Sequence, residues 1–585
     1  MKIEVSNKPL AIYILYILFI WFCECIDLLC FLTSLPQQTF FSRVVALFFV
    51  AFLIFSVREK VCLAKEKKYS ITKIITIIFI IMLGLVKSCY PDTSYDVGNY
   101  HLIAQSNDFV HYFESGFGGG NFQIWGFRLG DRLFNPFVQI LGYRYGTVLN
   151  LLVIILLYIQ VSNLIDSFFE EKIRNVKAFN PYILAFIVVF VHDSAMEMAS
   201  YNVDLLAIPL CIEMLSICVN KSNGTHEYFA FLAGMALTLK MTNIVYIIPL
   251  LLVYIVKNIK RIKGTDWIMC FIMVIVPFSI YTIYNFTCTG NPIFPYMNSI
   301  FKSRYFHASN FRDVRWGPTD IKETCLWIFY HVLFPKYRQS EIPNLYTLGI
   351  LVGLIVLQMC AIICVKKVIK KEKIDFPIEI YAVFIFSSFL WSITTGHSRY
   401  FIMGDILLLI ILFTSIVRFL NIKLIKYGFP IILCFMVLFS CMEIKDIFNG
   451  REWATRKVDG ESISNQWKYI LRDQPEVFEY KDDIDAFFLT ESYYGGFAFL
   501  SNKDAPIFNV AYSEYLEAEN YDLYEKSFSL IMNAENIYDV KFKTFNDWET
   551  YENALKKYGL EIADKNVVNN GGIGIVYIRL QRTLA

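Results

Sequence analysis

The chain has 585 residues, of which 56% are hydrophobic and only 18% charged, and its formal net charge is +2. Soluble domains carry about a quarter charged residues, so this balance excludes a string of soluble domains and fits a polytopic membrane protein. The near-neutral charge excludes nucleic acid as a global partner, and most of the cysteines (Cys23, Cys211 and Cys434 among them) lie in apolar runs without disulfide or metal-ligand spacing.

Apolar stretches long enough for a hydrocarbon core recur at about 11–33, 41–57, 70–89, 143–165, 181–194, 201–219, 227–240, 242–257, 266–286, 343–365, 377–394, 399–418 and 427–445. That predicts about thirteen transmembrane helices, with 181–194 and 227–240 the shortest. The first stretch is too long for a signal-peptide core and is followed by no small-residue cleavage site. Lysine and arginine collect in alternate loops, from Arg58–Lys73 to Arg418–Lys426, whereas the short loops on the other side hold only Arg43, Lys240 and Arg399. This bias predicts a cytoplasmic N-terminus in the plasma (inner) membrane, with the long loops 90–142 and 287–342 facing outward.

After the last stretch the composition turns acidic and no further span follows. The division expected is a transmembrane domain at 1–447 and a small extracytoplasmic α/β domain at 448–585. Within the latter, Ala486–Leu489, Ile507–Val510 and Ile573–Leu580 read as strands, and Asp547–Tyr558 as an amphipathic helix capped by Gly559. Gly571 to Gly574 reads as a turn rather than a phosphate loop.

The residues able to do chemistry gather on the predicted outer side. The first outer loop contains Asp92, Asp96, Tyr100 and His101. If a helix begins at Asp96, then Asp96 and Tyr100 share one face with His101 beside them; the alternative is plain helix capping by Asp92 or Asp96. His192, Asp193, Glu197 and Asp204 surround the next outer turn, Lys240 ends a span, and His397 and Arg399 precede Tyr400. Charges at such depth need a partner or a purpose; snorkelling to the interface is one account of Lys240, but the apolar residues on both sides of it suit an anionic headgroup better. Glu24 and Asp27, within the first span, are expected to face protein. In the second outer loop Thr289-Gly290-Asn291-Pro292-Ile293-Phe294-Pro295 forces a rigid non-helical path, and Lys302, Arg304, Arg312 and Arg315 are interleaved with aromatics. That mixture suits both a sugar-phosphate site and a membrane interface.

Taken in order, these segments resemble the GT-C superfamily of integral-membrane glycosyltransferases, in the branch related to protein mannosyltransferases and aminoarabinose transferases. Asp96 to His101 is similar to the D-x-x-x-Y-H of the first outer loop, Asp204-Leu205-Leu206-Ala207 to D-L-x-x-A, and Gly234 through Thr242 to G-x-A-L-x-x-x-K-x-T. Met241 stands where that family often has proline. Thr289 to Pro295 is close to T-G-N-P-[LVI]-[FY]-P, and Arg399-Tyr400 matches the R-Y pair. The C-terminal domain carries no matching motif.

The resemblance implies transfer of a sugar from a polyprenyl-phosphate donor to a hydroxyl of a lipid, glycan or protein acceptor at the outer membrane face. Asp96 is then the expected general base, with Asp92 in reserve and Tyr100 and His101 orienting it, and displacement inverts the anomeric centre. Lys240 and Arg399 are expected to meet the phosphate, with Asp204, Asp193, His397 and Arg304 completing the substrate site. No ligand spacing indicates a metal, and a cofactor is left unknown. Two readings compete: a polysaccharide polymerase or ligase using a lipid-diphosphate oligosaccharide, and a lipid or sugar transporter. A transporter predicts mid-membrane charges and a repeated half, neither of which is evident in the sequence.

Overall fold

The computed structural model describes the chain except for 1–2, 6, 38, 58–60, 64–70, 89–91, 93, 107–108, 110–123, 125, 169–179, 221–225, 309–315, 334–357, 359–376, 420–481, 492–493, 511–520, 543–544, 571–574 and 584–585. It is mostly helical, with a short parallel pair, β1 (Ile3–Val5) and β2 (Val61–Leu63), and a five-stranded sheet near the C-terminus. Among the described residues, five helices are long and apolar enough to cross a membrane: Lys8–Leu32, Val148–Ser167, Met241–Asn258, Gly264–Thr289 and Ser398–Ser415. The chain is therefore a multi-pass membrane protein.

Local chemistry sets the ends of these helices. Asn7 caps the first, its Oδ1 accepting from the Leu10 amide at 2.8 Å, and Pro9 stands in the first turn, where its missing N–H costs nothing. Helix Gly264–Thr289 starts with Asp266 accepting from the Lys263 amide at 2.8 Å and stops at Gly290, whose φ of 74° lies in the left-handed region. Burial separates the centre of the bundle from its rim: 94% of the Ser398–Ser415 window is enclosed by protein, against 22% for Gly264–Thr289. The rim helix shows Trp267, Ile268, Phe271 and Phe286 outward, as lipid contact demands.

Several expected spans have their helices: Thr39–Val57, Ile71–Lys87, His226–Leu239 and Ile378–Thr394. The expected spans 343–365 and 427–445 lie outside the described residues, as does the turn at 571–574, so thirteen is not a count the fold settles. One stretch differs. At 181–194 a nine-residue helix, Pro181–Val189, covers only about 14 Å at 1.5 Å per residue. It gives way to the short helix His192–Glu197 and an irregular run before helix Ile208–Asn220 begins. Every residue from Leu184 to Leu215 is buried, which is the setting in which non-helical backbone is tolerated at membrane depth. Glu24 and Asp27 are buried against protein, as expected.

The described parts of the two long loops include helices and turns. The first contributes a π-helical turn, Val97–His101, then helices Leu102–Ser106 and Leu129–Tyr145. The second turns at Gly290 and is held by two buried asparagines. The Asn291 amide donates to the Tyr296 carbonyl at 2.9 Å, while that of Asn298 reaches the carbonyls of Ser303, Phe306 and His307 at 3.0, 3.0 and 2.9 Å.

The C-terminal sheet has the order β4-β3-β5-β7-β6, from β3 (Ala486–Leu489), β4 (Ile507–Asn509), β5 (Ile537–Phe542), β6 (Leu560–Asn570) and β7 (Ile575–Arg582). Strands β4, β3 and β5 run parallel, and β7 is antiparallel to both β5 and β6. Helix Trp548–Lys556 and left-handed Gly559 occupy their expected places. One apolar core is continuous from the transmembrane helices into Phe487, Leu489, Phe497 and Phe499 of this domain.

Candidate active site

The segment bearing Asp96 is anchored four residues upstream. Asp92 is buried; its Oδ1 accepts from the Ser94 amide at 2.9 Å, and its Oδ2 from the Ser200 hydroxyl at 2.6 Å and the Tyr201 amide at 2.8 Å. The Tyr143 hydroxyl donates to the Asp92 carbonyl. With both carboxylate oxygens engaged, Asp92, expected as a base in reserve, ties this segment to residues 200–201. The backbone then makes the single π-helical turn at Val97–His101 in place of the expected α-helical one, a distortion that concentrates at functional sites.

Three distant stretches converge on Asp96. The Arg399 guanidinium donates to its Oδ2, and to the Tyr400 hydroxyl at 3.2 Å, while its Nε lies 3.3 Å from Oδ2 of Asp204. Lys240 pairs with the other oxygen of Asp204. The Tyr400 ring lies under both cations, 4.6 Å from the Lys240 ammonium and 5.2 Å from the Arg399 guanidinium, as cation–π contact requires. The Tyr246 hydroxyl in turn donates to the Tyr400 carbonyl at 2.6 Å. Asp96, Lys240, Arg399 and Asp204, all picked from sequence, thus form one network.

The remaining candidates fall at differing distances from it. His101 directs Nδ1 to Asp131 Oδ1 at 2.5 Å, so in its neutral form the ring carries its proton there. The buried Nε2 has no hydrogen-bond partner among the described residues. Tyr100 packs its ring on that of His101 at 4.3 Å. His397 accepts from the Arg399 amide at 3.2 Å and packs edge-on to Trp316, a role in holding the turn before Arg399. Asp193 is buried on helix His192–Glu197, in electrostatic reach of Arg399. Arg304 stands apart. It is exposed and donates to the hydroxyl of neighbouring Tyr305 at 2.9 Å.

Burial alone would raise the Asp96 carboxyl, but Arg399 first, then His101 and Lys240, overcome that and hold it at about 2. Glu197 goes the other way. Burial, and after it the charge of Asp204, push its carboxyl well up. Asp131 was missed from sequence, since it lies in a segment with no distinguishing pattern. A small cleft opens beside the network, lined by Asp204, Thr242, Asn243, Tyr246, Arg399 and Tyr400 among others. Among the described residues no cluster of three ligating side chains offers a metal site.

No family model matches the chain, and no curated protein matches it. Among solved structures, it is similar to the crystal structure of ArnT from Cupriavidus metallidurans in the apo state, at 12% identity and a TM-score of 0.47, covering 86% of this chain and 97% of that one. It is likewise similar to the ArnT structure bound to undecaprenyl phosphate, at 11% identity and a TM-score of 0.46, with the same coverage.

Proposed function

We propose that the chain is an inverting glycosyltransferase that moves a sugar from a polyprenyl-phosphate donor to an acceptor hydroxyl at the outer face of the plasma membrane. The observation that carries this reading is Arg399, which touches both Asp96 and Asp204 beside a cleft that also reaches Tyr400, Thr242 and Asn243. A lipid phosphate entering that cleft meets Arg399 and, past Asp204, Lys240. It draws the guanidinium away from Asp96. The Asp96 carboxylate, a weak base while paired, becomes a stronger one as that partner is shared.

The acceptor oxygen then forms its bond to the anomeric carbon as the bond from that carbon to the phosphate oxygen breaks. Asp96 takes the acceptor proton, and the electron pair leaves on the polyprenyl phosphate. The net charge of the site is the same before and after, since Asp96 loses one negative charge while the phosphate gains one. Arg399, in contact with the first and beside the second, follows that shift without moving far. His101, fixed by Asp131, orients Asp96 or the acceptor. A divalent metal is not part of this reading. The C-terminal domain is extracytoplasmic, on the side of the membrane poor in short-loop lysine and arginine.

The test is titration of a polyprenyl-phosphate sugar onto the purified chain and its variants. Lys240→Ala and Arg399→Ala should each weaken binding by about 1.5–3 kcal/mol, and Arg399→Lys should restore part of the loss, since an ammonium supplies charge without the fork. Equal dissociation constants for all four proteins retire the phosphate role. A polymerase or ligase would instead extend an oligosaccharide from a lipid diphosphate, which product analysis separates. Orientation is tested by a cysteine in place of exposed Lys503, which should react with an impermeant thiol reagent from outside the cell.

A further inference from the structure

The C-terminal domain touches the Asp96 segment through its backbone. Helix Gly495–Ser501, which follows β3, packs on the π-helical turn Val97–His101 and on helix Leu102–Ser106. Its first two residues are glycines, and they differ in how close they come. A Cβ on Gly496 would lie 2.8 Å from the Gly98 carbonyl oxygen and 2.9 Å from the Leu102 Cβ, so backbone would have to move. On Gly495 it would lie 3.4 Å from the Asn99 carbonyl oxygen, an ordinary contact. Phe497, Ala498 and Phe499 are buried in the same core as Leu102 and Ile103.

The strand end that launches this helix is fixed from within the domain. Lys541, fully buried on β5, donates to the Thr490 hydroxyl at 2.7 Å and to Glu491 at 3.0 Å, and lies 3.5 Å from Asp539. The Tyr494 ring covers its ammonium at 4.8 Å. The residues just before Gly495 are thereby held to the sheet, and the sheet to the turn that carries Asp96.

We propose that the C-terminal domain positions the Asp96 segment for transfer, with Gly496 as the positioning residue that admits the close backbone contact. This rests on the glycosyltransferase reading for its catalytic consequence, but the positioning has a readout of its own. Hydrogen–deuterium exchange of the full-length chain measures how firmly residues 97–106 are held. Gly496→Ala should speed exchange there about tenfold while β5 and β7 stay protected as in the parent, whereas Gly495→Ala should remain within about twofold. In a transfer assay, Gly496→Ala should then lower kcat with the donor KM retained.

Identical exchange at 97–106 in the two alanine variants overturns the proposal. If Gly496→Ala also opens β5 and β7, the domain itself has been lost, and Glu491→Ala takes over. That residue is half-exposed, and cutting its tie to Lys541 should still speed exchange at 97–106, by about threefold, with the sheet intact; no change overturns the proposal. Should the parent transfer no sugar from any polyprenyl phosphate, the functional reading falls and the exchange result stands; unchanged exchange sinks the positioning whatever the transfer assay gives.

Discussion

Glu24 and Asp204 each sit buried between two cations. Around Glu24, Arg132 donates at 2.6 Å, Arg128 lies at 3.9 Å and the Tyr281 hydroxyl donates at 3.1 Å. Phe109 and Tyr284 cover the Arg128 guanidinium at 4.3 and 5.2 Å. This cluster joins helix Lys8–Leu32 to helices Leu129–Tyr145 and Gly264–Thr289, and aromatic rings close it in. Around Asp204 the parts are similar, with two cations and a tyrosine ring, yet one cation is shared with a second carboxylate and a cleft adjoins it. Buried charge therefore does not mark a site by itself. An arginine divided between two acids, next to open space, is what separates a place where charge can move from a place where it only holds helices together.

The sharpest way to break that contrast is to remove the acid at each place. Asp96→Asn keeps the shape and loses the proton acceptor, so transfer should fall by ~10²–10⁴-fold, with a stability loss smaller than that of Glu24→Ala. Full activity in this variant would falsify the assignment of Asp96 as base. Glu24→Ala should do the reverse. It strands Arg128 and Arg132 among aromatics, and breaking a buried pair costs about 3–5 kcal/mol, to be read as a lowered Tm with donor affinity per folded molecule kept.

A smaller effect sharpens the electrostatics. Because Arg399 depresses the Asp96 carboxyl to about 2, its ionised form favours the folded state. That contribution, about 2 kcal/mol, is fully present above the unfolded pKa near 3.9 and is lost as pH falls through about 2. The stability difference between the parent and Asp96→Asn should therefore be constant above about pH 4 and shrink below it. A difference independent of pH from 5 to 2 would mean that the pair with Arg399 does not form in solution.

Much of this contrast was legible in the residues, and the gaps have physical causes. Hydropathy finds long apolar helices because lipid demands some twenty apolar residues in a row. It fails at 181–207, where the chain is apolar yet broken, because protein rather than lipid surrounds it. The charged residues of the site stand out one by one, but that Asp96, Asp204, Lys240 and Arg399 meet is a tertiary fact with no local trace. Asp92 and Asp96 look alike in sequence; only the amides and hydroxyl aimed at Asp92 tell it, as an anchor, from the residue that Arg399 meets. Strand β5 was missed since Asp539 and Lys541 are buried side chains that pair with each other and erase the apolar pattern. Strand β6 was missed for a different reason: it is an irregular polar edge with register shifts.

The contact between Gly496 and Gly98 joins a part of the chain synthesised near the end to one synthesised near the start. While the ribosome is still adding the later helices, the turn beside Asp96 lacks the neighbour that it has in the finished fold, for that neighbour has yet to be made. The surroundings of that turn are thus tied to synthesis of the residues around Gly496. A chain cut short after its membrane helices would keep the residues of the network and expose the Leu102 and Ile103 surface that Phe497 and Phe499 otherwise cover. In the cell, such a truncated product would present quality-control proteases with an uncovered apolar patch close to the membrane surface.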